Sequence, residues 1–450
     1  MSVLEQLPIE VAADILSYLP LEDLVKVSIL SRHMHLISRP LVYMAPILIC
    51  REHATSPSAL QIFLRTLLSP GGETLATYIR SLHMKWQTWS TYDDDDEYDD
   101  DEEDDIGNDT VNDNGDPEPA HESPNDLALL FAAATPFGLH QYLEAQEAQL
   151  VLLLHLLPRL HVLHFTPVYG SDALFSEFME DHLSIDALPI GLRQLREFHC
   201  FSHNTNGGVN PETLLTIFSL PCIQKIHVLI IDGSTIDIAA AEDAAATSTV
   251  TNLTFVEADQ TQQSLECILK IPAALTYFGY STKRQHPGFH MGNALQPLQH
   301  SLKHLHLELA STAPSIGSLR DWPALRTVRC SLTPLLGKGL ESNLPRLADM
   351  LPVGLRELEI LRDRHWSVAA EVDQAIDLLR EKQSVMPGLV TLAVVISPSY
   401  MMRETQHQDA LRSACEAAAV ALVDIKLRGG NLHNRQIIES ISTRRIGSPG

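Results

Sequence analysis

Residues 160–165 read LHVLHF, and the same pattern returns at 195–200 as LREFHC and at 302–307 as LKHLHL. The pattern is an apolar residue, two further residues, an apolar residue, one residue and a last apolar residue. It occurs eleven times from residue 79 onward, and most successive copies lie 23–35 residues apart. The eleven triplets are Ile79-Leu82-Met84, Leu160-Leu163-Phe165, Leu195-Phe198-Cys200, Ile223-Ile226-Val228, Val250-Leu253-Phe255, Leu275-Phe278-Tyr280, Leu302-Leu305-Leu307, Leu325-Val328-Cys330, Leu355-Leu358-Ile360, Leu389-Leu392-Val394 and Leu422-Ile425-Leu427.

Each copy predicts a β-strand, because its last two apolar residues lie two positions apart and therefore share one face. Amphipathic helical stretches lie between copies, for example Pro211 to Leu220 and Val368 to Val385. A single strand–helix unit cannot bury its apolar face, so stacked units must share a continuous core. We therefore predict an α/β fold over residues 75–430, a curved solenoid with a parallel sheet and outer helices.

The pattern and its period resemble leucine-rich repeats. That family often places Asn five residues after the central leucine, whereas this chain has His203, Ile231 and Ala310 at such positions. The resemblance therefore implies irregular repeats with turns that differ from one another. A doubly wound α/β domain is the alternative, but it would not normally supply so many short and evenly spaced strands.

The segment before the repeats, residues 4–43, contains the two pairs Leu7-Pro8 and Leu19-Pro20, each followed by an apolar stretch. Proline is tolerated in the first turn of a helix, so each pair predicts a helix start. The segment resembles an F-box, a trihelical unit that we place at residues 1–47. One departure is His33-Met34-His35, where the family often has an aromatic residue. The matching residues are Leu7-Pro8, Glu10, Ile15-Leu16, Leu19-Pro20, Asp23-Leu24, Val27-Ser28, Ser31-Arg32 and Pro40-Leu41-Val42-Tyr43.

The F-box resemblance implies a substrate-recognition adaptor of a cullin–RING ubiquitin ligase of the Skp–cullin–F-box (SCF) type. In that reading the F-box binds the Skp adaptor, the repeats bind the target protein, and residues 48–74 form a helical join that caps the first repeat. Residues 431–450 would be a C-terminal cap and tail. The alternative is a leucine-rich-repeat interaction scaffold without ligase function. The residues predicted to hold the adaptor, some of which must instead form the unit's own core, are Leu7, Pro8, Ile15, Leu16, Leu19, Leu24 and Val27.

The net charge of −25 is concentrated in one segment, because residues 93–105 contain twelve acidic residues in thirteen. Residues 93–122 contain seventeen Asp or Glu and no Lys or Arg, so the other 420 residues carry only −25 + 17 = −8. Such a run repels itself and cannot collapse, so we predict a disordered insertion at residues 91–124. It is either a solvated spacer or a competitor for a basic surface.

No motif predicts catalysis, since the chain has no Gly-rich phosphate loop, no H-E-x-x-H and no G-x-S-x-G. Pairs such as His161/His164 are weak evidence for a metal. We therefore expect no enzymatic activity, no cofactor, no metal, and neither nucleic acid nor membrane as a partner. The six dispersed cysteines suit reduced thiols, which favours a cytoplasmic or nuclear location.

The residue between the last two apolar positions of each copy should point to the concave face of the sheet. Five of these eleven residues are histidine, although histidine is only 21 of 450 residues in the chain. The column either suits a crowded surface or forms a recognition face for an acidic or phosphorylated target, with tighter binding at low pH. The candidate target-binding residues are His83, His164, His199, His227, His306 and Arg329.

Overall fold

A computed structural model describes residues 7–51, 58–87, 124–137, 139, 146–166, 188–201, 209, 211–229, 236–258, 260–282, 289–310, 314–337, 344–362, 365–395 and 405–423. The acidic run at 93–105 and the predicted C-terminal cap and tail at 431–450 lie outside these ranges.

Three short helices form the N-terminal unit, and the two Leu-Pro pairs mark where the first two begin. Pro8 and Pro20 directly precede the first and second helices, as the sequence predicts, and neither has a backbone N–H that would need a partner there. The third helix is capped by Ser31, whose hydroxyl accepts a hydrogen bond from the Met34 amide at 3.2 Å. The three helices are α1 (Ile9–Ser17), α2 (Leu21–Ser28) and α3 (Arg32–Val42).

Twelve strands follow and form one open sheet in which every neighbouring pair is parallel and the spatial order is the chain order. This arrangement is that of an α/β solenoid, as the spacing of the apolar triplets predicts. The strands are β1 (Ile47–Arg51), β2 (Ser81–Gln87), β3 (Val162–Thr166), β4 (Glu197–Phe201), β5 (Lys225–Leu229), β6 (Asn252–Val256), β7 (Tyr277–Ser281), β8 (His304–Glu308), β9 (Thr327–Ser331), β10 (Glu357–Leu361), β11 (Thr391–Val394) and β12 (Ala421–Val423).

Helices connect the strands and cover the apolar face of the sheet. Parallel neighbours need such crossovers, because a tight turn cannot return the chain to the same end of the sheet. The helices after the N-terminal unit are α4 (Ala59–Leu68), α5 (Gly72–Ala76), α6 (Pro124–Ala134), α7 (Gln146–Leu156), α8 (Pro211–Phe218), α9 (Ile238–Asp243), α10 (Gln262–Lys270), α11 (Met291–Leu295), α12 (Leu332–Leu336), α13 (Leu347–Met350), α14 (Val368–Val385) and α15 (Thr405–Ala417).

The apolar triplets form one continuous core between the sheet and the helices. Their residues pair across the strands in register, for example Leu163 with Phe198 and Phe198 with Ile226. All three members of the triplet Leu275-Phe278-Tyr280 are buried, and the side chain of Phe278 is fully enclosed. The small N-terminal unit has a separate core of its own, formed by Ala12, Leu16, Leu24, Met34 and Ile37.

Two strands differ from the sequence interpretation. The structure adds β1 inside the segment expected to be a helical join, with Leu48 and Cys50 buried and two positions apart. The twelfth strand lies three residues earlier than the last triplet implies, because Leu422 pairs with Leu392, the central residue of the preceding copy. The expected insertion also ends differently, since Pro124 already begins helix α6.

Candidate protein-interaction surfaces

The N-terminal unit exposes an apolar stripe along α1. Val11, Ile15 and Tyr18 are spaced by four and three residues, so they share one helical face. Ile15 is 44% exposed and Tyr18 is 69% exposed, whereas Ala12 and Leu16 on the neighbouring face are buried in the unit's core. A helix with apolar residues on two faces can bury one face inside its own unit and offer the other to a partner.

A second exposed stripe follows α2. Leu21 and Val25 are four residues apart on this helix, and Ile29 at its C-terminal end continues the spacing. Ile29 is 79% exposed and Leu30 beside it is 73% exposed, while Leu24 points into the core. Contiguous exposed apolar residues on a soluble unit typically mark a docking surface for another protein.

The seven residues that the sequence assigns to the adaptor interface divide between the core and the surface of the unit. Leu16 and Leu24 are buried, Leu7, Leu19 and Val27 are partly buried against the same core, and Pro8 and Ile15 are exposed. Sequence reasoning missed Val11, Tyr18, Leu21, Val25 and Ile29. Their helical spacing was the available signal. Contact of any of the seven with a partner stays a prediction.

On the concave face, the strand register aligns the predicted histidine column. His83 pairs with His164, His164 with His199 and His199 with His227, so these four histidines lie on four successive strands. The next positions in the row are Thr254 and Gly279, which separate this group from His306. The structure therefore brings four of the predicted histidines together and places His306 with Arg329 further along the sheet.

The four histidines form a stack of rings and not a set of exposed charges. The ring centroids of His164 and His199 are 4.3 Å apart with an interplanar angle of 19°. The tilted rings of His83 and His227 flank this pair, at 5.3 Å from His164 and 5.8 Å from His199. His164 and His199 are buried. The Glu197 carboxylate lies 3.5 Å from His199 Nε2 and 3.2 Å from Lys225 Nζ.

An apolar row runs beside the histidine stack on the same face. It consists of Phe201, Leu229 and Val256, which pair across β4, β5 and β6 and form a cluster separate from the main core. The Phe201 ring lies 5.4 Å from that of His227. All three residues of the row are buried, so the row packs beside the histidines and strengthens the aromatic and apolar character of this half of the face.

Burial also changes the acid–base behaviour expected of the histidines. Desolvation, with a smaller contribution from the charge of Arg329, lowers the pKa of His306 to about 3. Desolvation likewise lowers the pKa of His83, with smaller contributions from Lys85 and His199. His306 therefore stays neutral near pH 6.5, while tighter binding of an acidic target to the histidine column at low pH stays a prediction.

The second half of the concave face is charged. Arg329 Nε lies 3.2 Å from Glu359 Oε1 on the next strand, and Thr327 Oγ1 donates a hydrogen bond to Glu357 Oε2 at 3.2 Å. The Tyr277 ring leans over Gly279, and a side chain at that position would meet Tyr277 and Thr254. This half offers paired charges, which exchange partners only at the cost of breaking an existing ion pair.

Within the described ranges, no group of three or more His, Cys, Asp or Glu residues is placed to hold a metal ion. No described helix combines the length and the apolar character that a membrane span requires. All six cysteines lie in described segments and are free thiols.

The comparison with protein families identifies the N-terminal unit. Residues 4–46 match the family described as F-box-like, a range that contains α1, α2 and α3 completely. The chain therefore carries an F-box-like domain at its N-terminal end, followed by the twelve-stranded parallel sheet. A comparison with curated proteins finds no match for the chain.

Proposed function

We propose that this chain is a substrate-recognition adaptor of an SCF-type ubiquitin ligase, in which the F-box-like domain binds a Skp-type adaptor and the repeat region binds the target. The match at residues 4–46 carries the proposal, because F-box-like domains support adaptor function of this kind generally. The exposed apolar stripes on α1 and α2 supply the surface that such a partner would cover.

In this proposal the chain performs no chemistry, uses no cofactor and acts in the cytoplasm or nucleus. It would raise the effective concentration of a target lysine near a charged conjugating enzyme, which is a contribution of proximity. The repeat region would act as a leucine-rich-repeat surface, and its long parallel sheet supports a role in holding an extended partner. The repeat identity and the target remain parts of the proposal.

The test separates surface residues from core residues of the same two helices. Ile15→Asp with Val25→Asp changes two exposed side chains, so the three helices should stay folded while co-purification with a Skp-type adaptor is lost. Each fully buried apolar side chain contributes about 1.5–3 kcal/mol, so losing two should weaken binding by roughly a hundredfold or more. Circular dichroism of the full chain checks the fold.

Two controls interpret that result. Leu16→Asp with Leu24→Asp changes buried side chains and should remove binding by unfolding the unit, whereas Val353→Asp with Val390→Asp changes equally exposed residues of the repeat region and should leave binding intact. Retained adaptor binding in the Ile15/Val25 variant would refute the proposed interface. Adaptor binding without any effect on a target's turnover would instead favour an interaction scaffold without ligase function.

A further inference from the structure

A row of basic residues follows the amino edge of the sheet, outside the concave face. Its members are the residues directly after the first apolar residue of each triplet, and we call them the edge row. Five of the ten are Lys or Arg and none is acidic, although 32 Lys and Arg in 450 residues would supply fewer than one in ten. The edge row from β2 to β11 consists of Arg80, His161, Arg196, Gln224, Thr251, Thr276, Lys303, Arg326, Arg356 and Val390.

A backbone ladder fixes the edge row in register. The carbonyl oxygen of Arg80 accepts from the amides of His161 and Val162 at 2.8 and 3.1 Å, and that of His161 accepts from Arg196 and Glu197 at 2.8 and 3.0 Å. The same pairs of bonds continue along the sheet to Val390. Because adjacent strands lie about 4.8 Å apart, Arg80 and Arg196 are held about 10 Å from each other.

The edge row contains two basic groups that differ in how their charges are used. At β8–β10, Arg326 Nη1 donates to the carbonyl oxygens of Pro323, Leu325 and Gly354 at 3.0, 3.1 and 3.2 Å, so its guanidinium joins two repeats. In the same region a hydrogen bond from Arg346 lowers the pKa of Asp349, and the charge of Arg320 makes a smaller contribution in the same direction. In this second group Arg326 is therefore occupied by the fold, and Arg320 lies close to an acid.

At β2–β4 the arginines are exposed, and among the described residues their side chains make no hydrogen bonds of the kind that Arg326 makes. Arg159 lies in the turn before β3, the strand between those of Arg80 and Arg196, and all three side chains are exposed. Within the described part of the chain, no ion pair or side-chain hydrogen bond involves any of the three. Burial lowers the pKa of His161, which lies between Arg80 and Arg196 in the edge row, and the charges of Arg196 and Arg80 lower it further.

We propose that Arg80, Arg159 and Arg196 form a docking surface for an acidic polypeptide segment rich in Asp and Glu. Guanidinium groups bind carboxylates through paired hydrogen bonds, and separations of about 5–10 Å match carboxylates two or three residues apart on an extended chain. A single phosphate would need guanidiniums that converge on one point. A long nucleic acid would extend beyond these three strands onto a chain that carries a net charge of −25 + 17 = −8 even without residues 93–122.

This surface shares no residue with the exposed stripes on α1 and α2 or with the concave face, so its failure and that of the proposed ligase role are distinguishable. The probe is a labelled decaglutamate peptide, titrated against the full chain at low salt, with decaglutamine as the neutral peptide. The triple variant Arg80→Gln, Arg159→Gln and Arg196→Gln should weaken decaglutamate binding about tenfold or more, because each exposed pair contributes a modest amount. The same three residues changed to Lys should retain most of the affinity.

The other basic group supplies a matched control. Lys303→Gln, Arg320→Gln and Arg356→Gln remove the same charge from exposed positions at β8–β10. Because Arg326 between Lys303 and Arg356 is held by backbone carbonyls and Arg320 lies near Asp349, this variant should change the affinity less than about twofold. Equal losses in the two triple variants, or no binding by the unchanged chain, would overturn the proposal. Equally tight binding of an oligothymidylate with the same loss in the first variant would show a general polyanion surface and would also overturn it.

Discussion

The F-box-like domain and the repeat region treat apolar residues in opposite ways. The domain buries five apolar residues in its own core and leaves ten large ones of its described residues exposed, which are Ile9, Val11, Ile15, Tyr18, Leu21, Val25, Ile29, Leu30, Leu36 and Met44. The repeat region, residues 75–430, extends one core along the sheet, and nearly all the described residues of its apolar triplets are buried.

The difference follows from size and architecture. Forty residues cannot enclose much apolar surface, so part of it stays available for a partner. A solenoid shares each apolar face with the neighbouring unit, so its exposed surface is built from the residues between the triplets. The domain therefore exposes apolar stripes, whereas the concave face of the repeats carries columns of polar, aromatic or charged side chains.

A cavity in the core of the repeat region should give the largest change in the free energy of unfolding among the tests of this comparison. Phe278 is fully enclosed, so Phe278→Ala should lower the free energy of unfolding by about 3–5 kcal/mol. Val353 is 53% exposed in the same region, and Val353→Ala should change it by no more than about 0.5 kcal/mol. Urea unfolding of both variants gives the values. Similar losses would mean that the core does not dominate the stability of the repeats.

The next effect tests whether the two cores are independent. Leu16→Ala should cost about 2–5 kcal/mol within the F-box-like domain, because Leu16 is buried there, while Ile15→Ala should cost little. Hydrogen exchange should then show lost amide protection in α1, α2 and α3, with the strands of the repeat region unchanged. Loss of protection throughout the sheet would show that the two clusters unfold as one unit.

The smallest effect concerns the concave face and pH. The pKa of His306 is about 3 in the folded chain against an ordinary value of 6.5, so the unfolded chain takes up this proton first as the pH falls. The stabilisation is therefore complete above about pH 6.5 and decreases as the pH drops toward 3. At about pH 5 the difference is about 2 kcal/mol at most.

His306→Gln should flatten this part of the stability profile, and urea unfolding at about pH 7 and about pH 5 measures it. His304→Gln is the matched control, because His304 lies on the same strand two residues away and is exposed. A variant at position 306 that keeps the full pH dependence would show that His306 is already accessible to protons in the folded chain.

The sequence alone predicted the elements that depend on local spacing. The two Leu-Pro pairs located α1 and α2, because proline restricts where a helix can begin. The triplets located ten strands and their pairing register. Side chains alternate between the two faces of a strand, so only one register places all the apolar residues in the shared core. Helix α14 also begins and ends where its apolar periodicity predicts.

Other features depended on the tertiary structure, because they are relations between segments distant in the chain. Strand β1 has only Ala45 at the first apolar position of the triplet pattern, which is a weak signal in the sequence. Its parallel pairing with β2 establishes it as a strand. The position of β12 was set by the pairing of Leu422 with Leu392. The sequence shows that histidines recur on one face of the strands. Only the packing of neighbouring strands shows that His164 and His199 are buried and that Arg80, Arg159 and Arg196 are exposed.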